Sequence, residues 1–214
     1  MTTAPQAGRR ARITAITSGK GGVGKTFLSA NLAAALARQG EKVLVLDADL
    51  GLANLDVVLN LFPKITLHDV FTGKNTLDQA ILETSGGFSV LLAGSGMVEY
   101  SRLTPEVREQ LVSVVQQVVP RFDRILLDTG AGISDVVLYT VSLADEVLIV
   151  ATPEPTSLTD AYATIKVLAT TQGRRDIRVL PKISRGRDIE ESQDVPRDFE
   201  RLRLLATIKH GYRA

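Results

Sequence analysis

Eight residues near the start of the chain, Gly19-Lys20-Gly21-Gly22-Val23-Gly24-Lys25-Thr26, constrain its fold more than any other feature. They complete a G-x-x-x-x-G-K-[ST] loop, which works only between a buried strand and the start of a helix. Glycines let successive backbone N–H groups turn inward around phosphate oxygens, which side chains would block. Lys25 is placed to reach the β- and γ-phosphates and the Thr26 hydroxyl to ligate Mg²⁺. The helix that follows points its positive end at the same anion. The flanks agree with this order. Arg12 to Ser18 reads as a short buried strand. Thr26 to about Gln39 reads as a helix, with Leu28, Leu32 and Leu36 at four-residue spacing and Gly40 as its stop. A second lysine, Lys20, sits inside the loop.

The rest of the chain repeats the alternation. Val43 to Leu46, Phe88 to Leu92, Arg124 to Leu127, Val147 to Val150 and Ile177 to Leu180 are short apolar runs, as in a parallel sheet covered on both faces. Thr104-Pro105 opens a helix whose stripe is Val107, Leu111, Val114, Val115 and Val118. Further helices are expected after Ser134 and from about Ser157 to Thr171. The expected fold class is α/β, a doubly wound, mostly parallel sheet with helices on both faces and ligands at the carboxyl ends of its strands. Three regions are expected: a lead-in over 1–11, a nucleotide-binding domain over 12–180, and a divergent segment over 181–214. Pro181 to Pro196 is charged, weakly periodic and carries two prolines, which predicts a loop or disorder.

At 214 residues and 44% hydrophobic, the chain is long enough for one well-cored domain. It has no cysteine, so disulfides, thiolate metal sites and cysteine-held clusters are excluded within it. No apolar run approaches the length of a membrane span, and Met1 to Gln6 lacks the layout of a signal peptide. A cytoplasmic location is expected.

Two strands end in acidic residues: Leu46-Asp47-Ala48-Asp49 and Leu126-Leu127-Asp128, followed by Thr129-Gly130-Ala131-Gly132. A carboxylate at a strand tip can hold a Mg²⁺-bound water, and a glycine beyond it can turn its N–H toward the γ-phosphate. One such Asp alone would read as a helix cap. Two, at the ends of separate strands with the phosphate loop on a third, read as a site. His68 and His210 lack any partner pattern, so solvated or structural roles are expected.

The run Lys20 to Thr26 resembles the deviant phosphate loop of the MinD/ParA ATPases, in which the extra lysine marks the family. Asp47-Ala48-Asp49-Leu50-Gly51-Leu52-Ala53-Asn54-Leu55-Asp56, Asp128 to Ser134 and Thr152-Pro153-Glu154-Pro155-Thr156 resemble the flagellar-number regulators of its MinD branch (FlhG/FleN type). The resemblance covers roughly Arg12 to Leu180. It implies a slow, partner-stimulated ATP hydrolase that uses ATP and Mg²⁺ and pairs face to face as a homodimer. Residues Gly19 to Phe27 and Gly132 would contact nucleotide, and Lys20 would reach the other subunit's phosphates. Lys25 would hold phosphate, and Thr26 would ligate Mg²⁺ directly. Asp47 and Asp128 would lie behind the metal's waters, and Asp49 would orient the attacking water. Partners implied are a flagellar placement GTPase, flagellar switch proteins and the inner face of the cell membrane.

Two stretches depart from that family. The lead-in Pro5-Gln6-Ala7-Gly8-Arg9-Arg10 is at best a remnant of the Asp-Gln-Ala segment that stimulates the GTPase. After Leu180 the expected adenine-recognising Asn is replaced by Pro181-Lys182-Ile183-Ser184-Arg185, which suggests a truncation or a changed reading frame. Within Arg197 to Arg213, the residues Leu202, Leu205, Ile208 and Tyr212 share a helical side amid basic residues. Such a segment suits a docked helix, a frayed tail or a membrane-binding helix. Two other functions compete: a DNA-partitioning ATPase of the ParA branch and a nucleotide-binding scaffold without turnover. Leu50-Gly51-Leu52, where that branch favours Pro-Gln-Gly, argues against the first.

Overall fold

The computed structural model describes residues 10–51, 53–94, 100 and 102–181. The remainder of the lead-in, Leu52, the segment after Pro181 and His210 lie outside the described residues. Seven strands form one sheet: β1 (Arg12–Ser18), β2 (Val43–Ala48), β3 (Ile81–Glu83), β4 (Ser89–Leu91), β5 (Arg124–Ala131), β6 (Glu146–Ala151) and β7 (Ile177–Pro181). Their order is β3-β4-β2-β5-β1-β6-β7, parallel throughout except for the edge pair β3 and β4. β1 is therefore central, and its neighbours β5 and β6 deliver their carboxyl ends beside the loop that leaves it.

Helix α1 (Lys25–Arg38) covers one face of the sheet. The leucines at four-residue spacing are not its buried stripe. Ser29, Ala30 and Ala33 are buried, while Leu28, Leu32 and Leu36 pack at the margins. Small residues let the helix approach the central strands closely, which keeps its first turn at the strand ends. The helix stops at Gln39, whose N–H bonds to Leu36, and Gly40 follows with φ 89°.

The other face carries α5 (Pro105–Val118), α6 (Asp135–Ser142) and α7 (Pro155–Thr171). All five residues of the α5 stripe are buried, and Thr104 caps its start by accepting from Val107 N–H. Ser134 caps α6 in the same way. Three short helices, α2 (Leu55–Leu59), α3 (Leu67–Phe71) and α4 (Leu77–Ala80), link β2 to the edge hairpin. These and the antiparallel β3 are not evident from the periodicity, being shorter than the period needs to declare itself.

Coverage of both faces holds for only part of the sheet. On β6, Val147 and Ile149 are buried, whereas Glu146 and Leu148 on the opposite face are partly exposed. On β7, Arg178 and Leu180 are exposed. Among the described residues, α1 reaches β2, β5 and β1, and Val150 and Leu148 of β6 join its cluster, whereas the start of β6 and the residues Arg178 and Leu180 of β7 stay more open on that face. No described helix is long and apolar enough to cross a membrane.

Candidate functional site

The loop between β1 and α1 is shaped by three glycines with distinct duties. Gly22 and Gly24 have φ of 76° and 91°, the left-handed region that residues with a Cβ seldom occupy. Gly19 is required by proximity: a Cβ there would lie 2.2 Å from the Asp160 backbone carbon of α7. The loop is thus wedged against α7 on one side and wound over α1 on the other. Gly24 occupies the N-cap of α1 without a side-chain cap, and the first turn holds no acidic residue. The capped starts of α5 and α6 differ, so the first N–H groups of α1 are left for an external anion.

Lys25 is buried, and its Nζ donates to Ser18 Oγ at 2.9 Å. Burial lowers its pKa, against the charges of Asp128 and Asp49, which raise it. Asp128 accepts from Ser29 Oγ at 3.0 Å and from the Thr26 hydroxyl. Burial nevertheless raises its pKa, outweighing those bonds and Lys25. Asp47 lies beside Asp128 in register on β2. Burial, followed by the charge of Asp128, pushes its carboxyl up to about 8, although the backbone N–H groups of Asp49 and Leu55 oppose this. Two buried carboxylates this close are costly together and are relieved by a nearby cation.

A bulge in β5 sets the third acid. Register slips between Ile16↔Asp128 and Ser18↔Ala131, and Thr129 Oγ1 fills the gap by donating to Ile16 O at 3.1 Å. Asp49 lies over the bulge. A Cβ on Gly130 would come within 3.3 Å of its Oδ1, so the glycine leaves room for that carboxylate. Gly132 follows with φ 87°, and its N–H donates to Ser18 O at 2.8 Å. That differs from an N–H turned to phosphate: the left-handed turn folds the peptide back on β1.

Lys20 lies on the rim. Its Nζ contacts Glu154 Oε2 at 2.9 Å and Thr156 Oγ1 at 3.1 Å, both at the start of α7. Gly21 and Val23 complete the loop, Val23 buried and Gly21 exposed. Phe27 projects from the first turn of α1, 58% exposed. His68 sits away from this cluster, edge-on to Tyr100. The structure therefore gathers Lys25, Thr26, Asp47, Asp49 and Asp128 within one site and leaves Lys20 and Phe27 at its margin. Residue type alone does not single out Ser18 or Ser29, and Thr129 and Glu154 enter only as members of the motifs quoted above. Ser29 carried a signal, a hydroxyl four residues after Lys25 on the inner side of α1.

Among the described residues, no three acidic or histidine side chains come together as a metal site of their own. A cation here would take the Thr26 hydroxyl together with oxygens from a ligand, with Asp47 and Asp128 set behind water. Uncapped helix N–H groups, a buried lysine and paired carboxylates fit a magnesium nucleotide. Fold and site together define a P-loop nucleotide-binding domain with an additional lysine in its loop.

Comparison with known proteins agrees. A family model described as an AAA domain matches residues 11–179. Antiactivator FleN of Pseudomonas aeruginosa is 46% identical over 173 residues, 81% of this chain and 62% of that protein. Flagellum site-determining protein YlxH of Helicobacter pylori is 42% identical over 154 residues, 72% of this chain and 52% of that one. The septum site-determining protein MinD of Pyrococcus horikoshii, solved in complex with Mg-ADP, superposes with a TM-score of 0.71. It is 32% identical, with 91% of this chain and 77% of that chain covered. The chain belongs to the MinD/ParA family of P-loop proteins. It spans between half and about three fifths of the length of the curated relatives FleN and YlxH.

Proposed function

We propose that this protein is a MinD-type ATPase switch that pairs with a second copy when ATP is bound and regulates the number or placement of flagella. The observation that carries the reading is the convergence of Lys25, Thr26 and Asp128 beneath an uncapped helix start, with Asp49 above and Lys20 at the rim. The flagellar assignment is supported by the likeness to FleN and YlxH. The proposed place of action is the cytoplasm, at the inner face of the membrane.

Backbone N–H groups from Gly19 to Phe27 and the Lys25 ammonium would bind the phosphates. Thr26 would release Asp128 to ligate the metal, and Asp47 and Asp128 would accept from its waters. When bound, Mg²⁺ neutralises phosphate charge and polarises the transferred phosphoryl group. Asp49 would orient the attacking water. Lys20 would exchange its exposed contact with Glu154, which is weakly held in water, for the partner subunit's phosphates. Segments Asp49 to Asp56 and Asp128 to Ser134 flank these groups and would be ordered or released with the γ-phosphate.

Phosphate release at saturating Mg-ATP tests hydrolysis. The chain should exceed Lys25→Ala by at least about tenfold, the scale of a lost transition-state charge contact. Equal rates would leave a scaffold that binds without turnover. Cells carrying only the Lys25→Ala allele should show an altered flagellar count by electron microscopy. An unchanged count with displaced septa would move the assignment to cell division, the role named for MinD.

A further inference from the structure

The open part of the sheet is chemically specific. Thr14 and Glu146 are register partners on β1 and β6, as are Leu148 and Arg178 on β6 and β7, and Arg12 and Arg124 on β1 and β5. All of these side chains share one face, together with Leu180 two residues along from Arg178. Glu146 is crowded by three guanidiniums: Arg12 at 3.3 Å, Arg178 at 3.6 Å and Arg124 at 3.7 Å. Thr14 Oγ1 also donates to it at 3.1 Å. Glu41 takes the far side of Arg124 at 2.7 Å. Arg12 and Arg178 remain 57% and 70% exposed, with donors to spare. Beside them lie the partly exposed Leu148 and the exposed Leu180. Parallel strands are normally covered on both faces, so this half-face calls for an apolar, acidic cover.

We infer that the cover is the chain's own stretch 188–200, Asp188-Ile189-Glu190-Glu191-Ser192-Gln193-Asp194-Val195-Pro196-Arg197-Asp198-Phe199-Glu200. It holds six carboxylates against one arginine, with Ile189, Val195 and Phe199 as apolar contacts. Its charge complements the face. The chain leaves β7 at Pro181, five residues along β6 from the level of Glu146, or about 17 Å at the rise of a strand. The seven residues from Lys182 to Asp188 span up to about 23 Å when extended, so the return is within reach. A second copy is disfavoured, because a two-fold pairing is self-complementary and would bring two arginine-rich faces together.

The chain has no cysteine, so Leu148→Cys provides a single reporter thiol on this face. Its reaction with a maleimide is compared in the full chain with and without neutralisation of the six carboxylates to Asn and Gln. Neutralisation should speed labelling at least tenfold, and so should 1 M salt, which shortens screening to about 3 Å. Equal rates would overturn the inference. Slow labelling that speeds up on dilution would assign the face to a second copy and overturn it as well. Ile149→Cys, buried on the other face, is the control for unfolding. If it too accelerates, the decision passes to Arg12→Lys with a zero-length carbodiimide. Coupling of the new amine within one chain to a carboxylate in 188–200 supports the docking, and coupling to Glu146 alone contradicts it.

Discussion

Asp47 shows how burial beside a second carboxyl changes which protonation state the fold favours. Its carboxyl has an ordinary value of 3.8 and is pushed up to about 8, by burial first and by Asp128 second. Between those values the folded protein holds a proton that the unfolded chain has released. Its contribution to stability is therefore full below about pH 4 and is lost as pH rises through about 8. Asp47→Asn removes this titration. In magnesium-free buffer its Tm should fall less than the parent's between about pH 5 and about pH 9, and should exceed the parent's at the upper end. A parallel fall, measured by scanning calorimetry, would mean that Asp47 is ionised throughout. Gly19 is the other residue with a sharp expectation. Gly19→Ala drives a methyl into the Asp160 backbone, which cannot retreat as a side-chain tip could. Denaturant unfolding should show a loss of about 1–3 kcal/mol or more, the range for overpacking.

At the scale of elements, α5 is the plainest case of sequence dictating structure. Its Thr104 cap, Pro105 at the first position and five-residue stripe are all where the 3.6-residue period puts them. Leu111 is fully buried at the centre of that stripe. Leu111→Ala should cost about 2–5 kcal/mol in urea unfolding, and Leu28→Ala on the half-exposed side of α1 should cost clearly less. The contrast marks where the pattern misleads: in α1 the leucines look like the buried face, but Ser29, Ala30 and Ala33 occupy it. Close approach, which hydrophobicity does not encode, decided that helix. The gathering of Gly24, Lys25, Thr26, Asp47 and Asp128 was legible because motif spacing ties each to a strand tip or a helix start. It was not legible where a register slip matters. Nothing in Asp128-Thr129-Gly130-Ala131 announces the β5 bulge, yet the bulge makes room for Asp49. Nor does composition reveal that Gly132 spends its N–H on Ser18.

For the whole molecule, the order β2-β5-β1-β6 brings the tips of three successive strands, β2, β5 and β1, around one phosphate loop. The aligned lysines give the site two characters. Lys25 is enclosed and donates to Ser18, whereas Lys20 is held at the surface by Glu154 and Thr156. In the proposed switch the enclosed charge would fix the nucleotide, and the surface one would let its state be read by a second copy. The central claim is that γ-phosphate controls pairing. Light scattering on Asp49→Ala, which should bind ATP yet hydrolyse it poorly, measures this directly when done with Mg-ATP and then with Mg-ADP. The account predicts twice the monomer mass with Mg-ATP and the monomer mass with Mg-ADP. The same mass in both would contradict it.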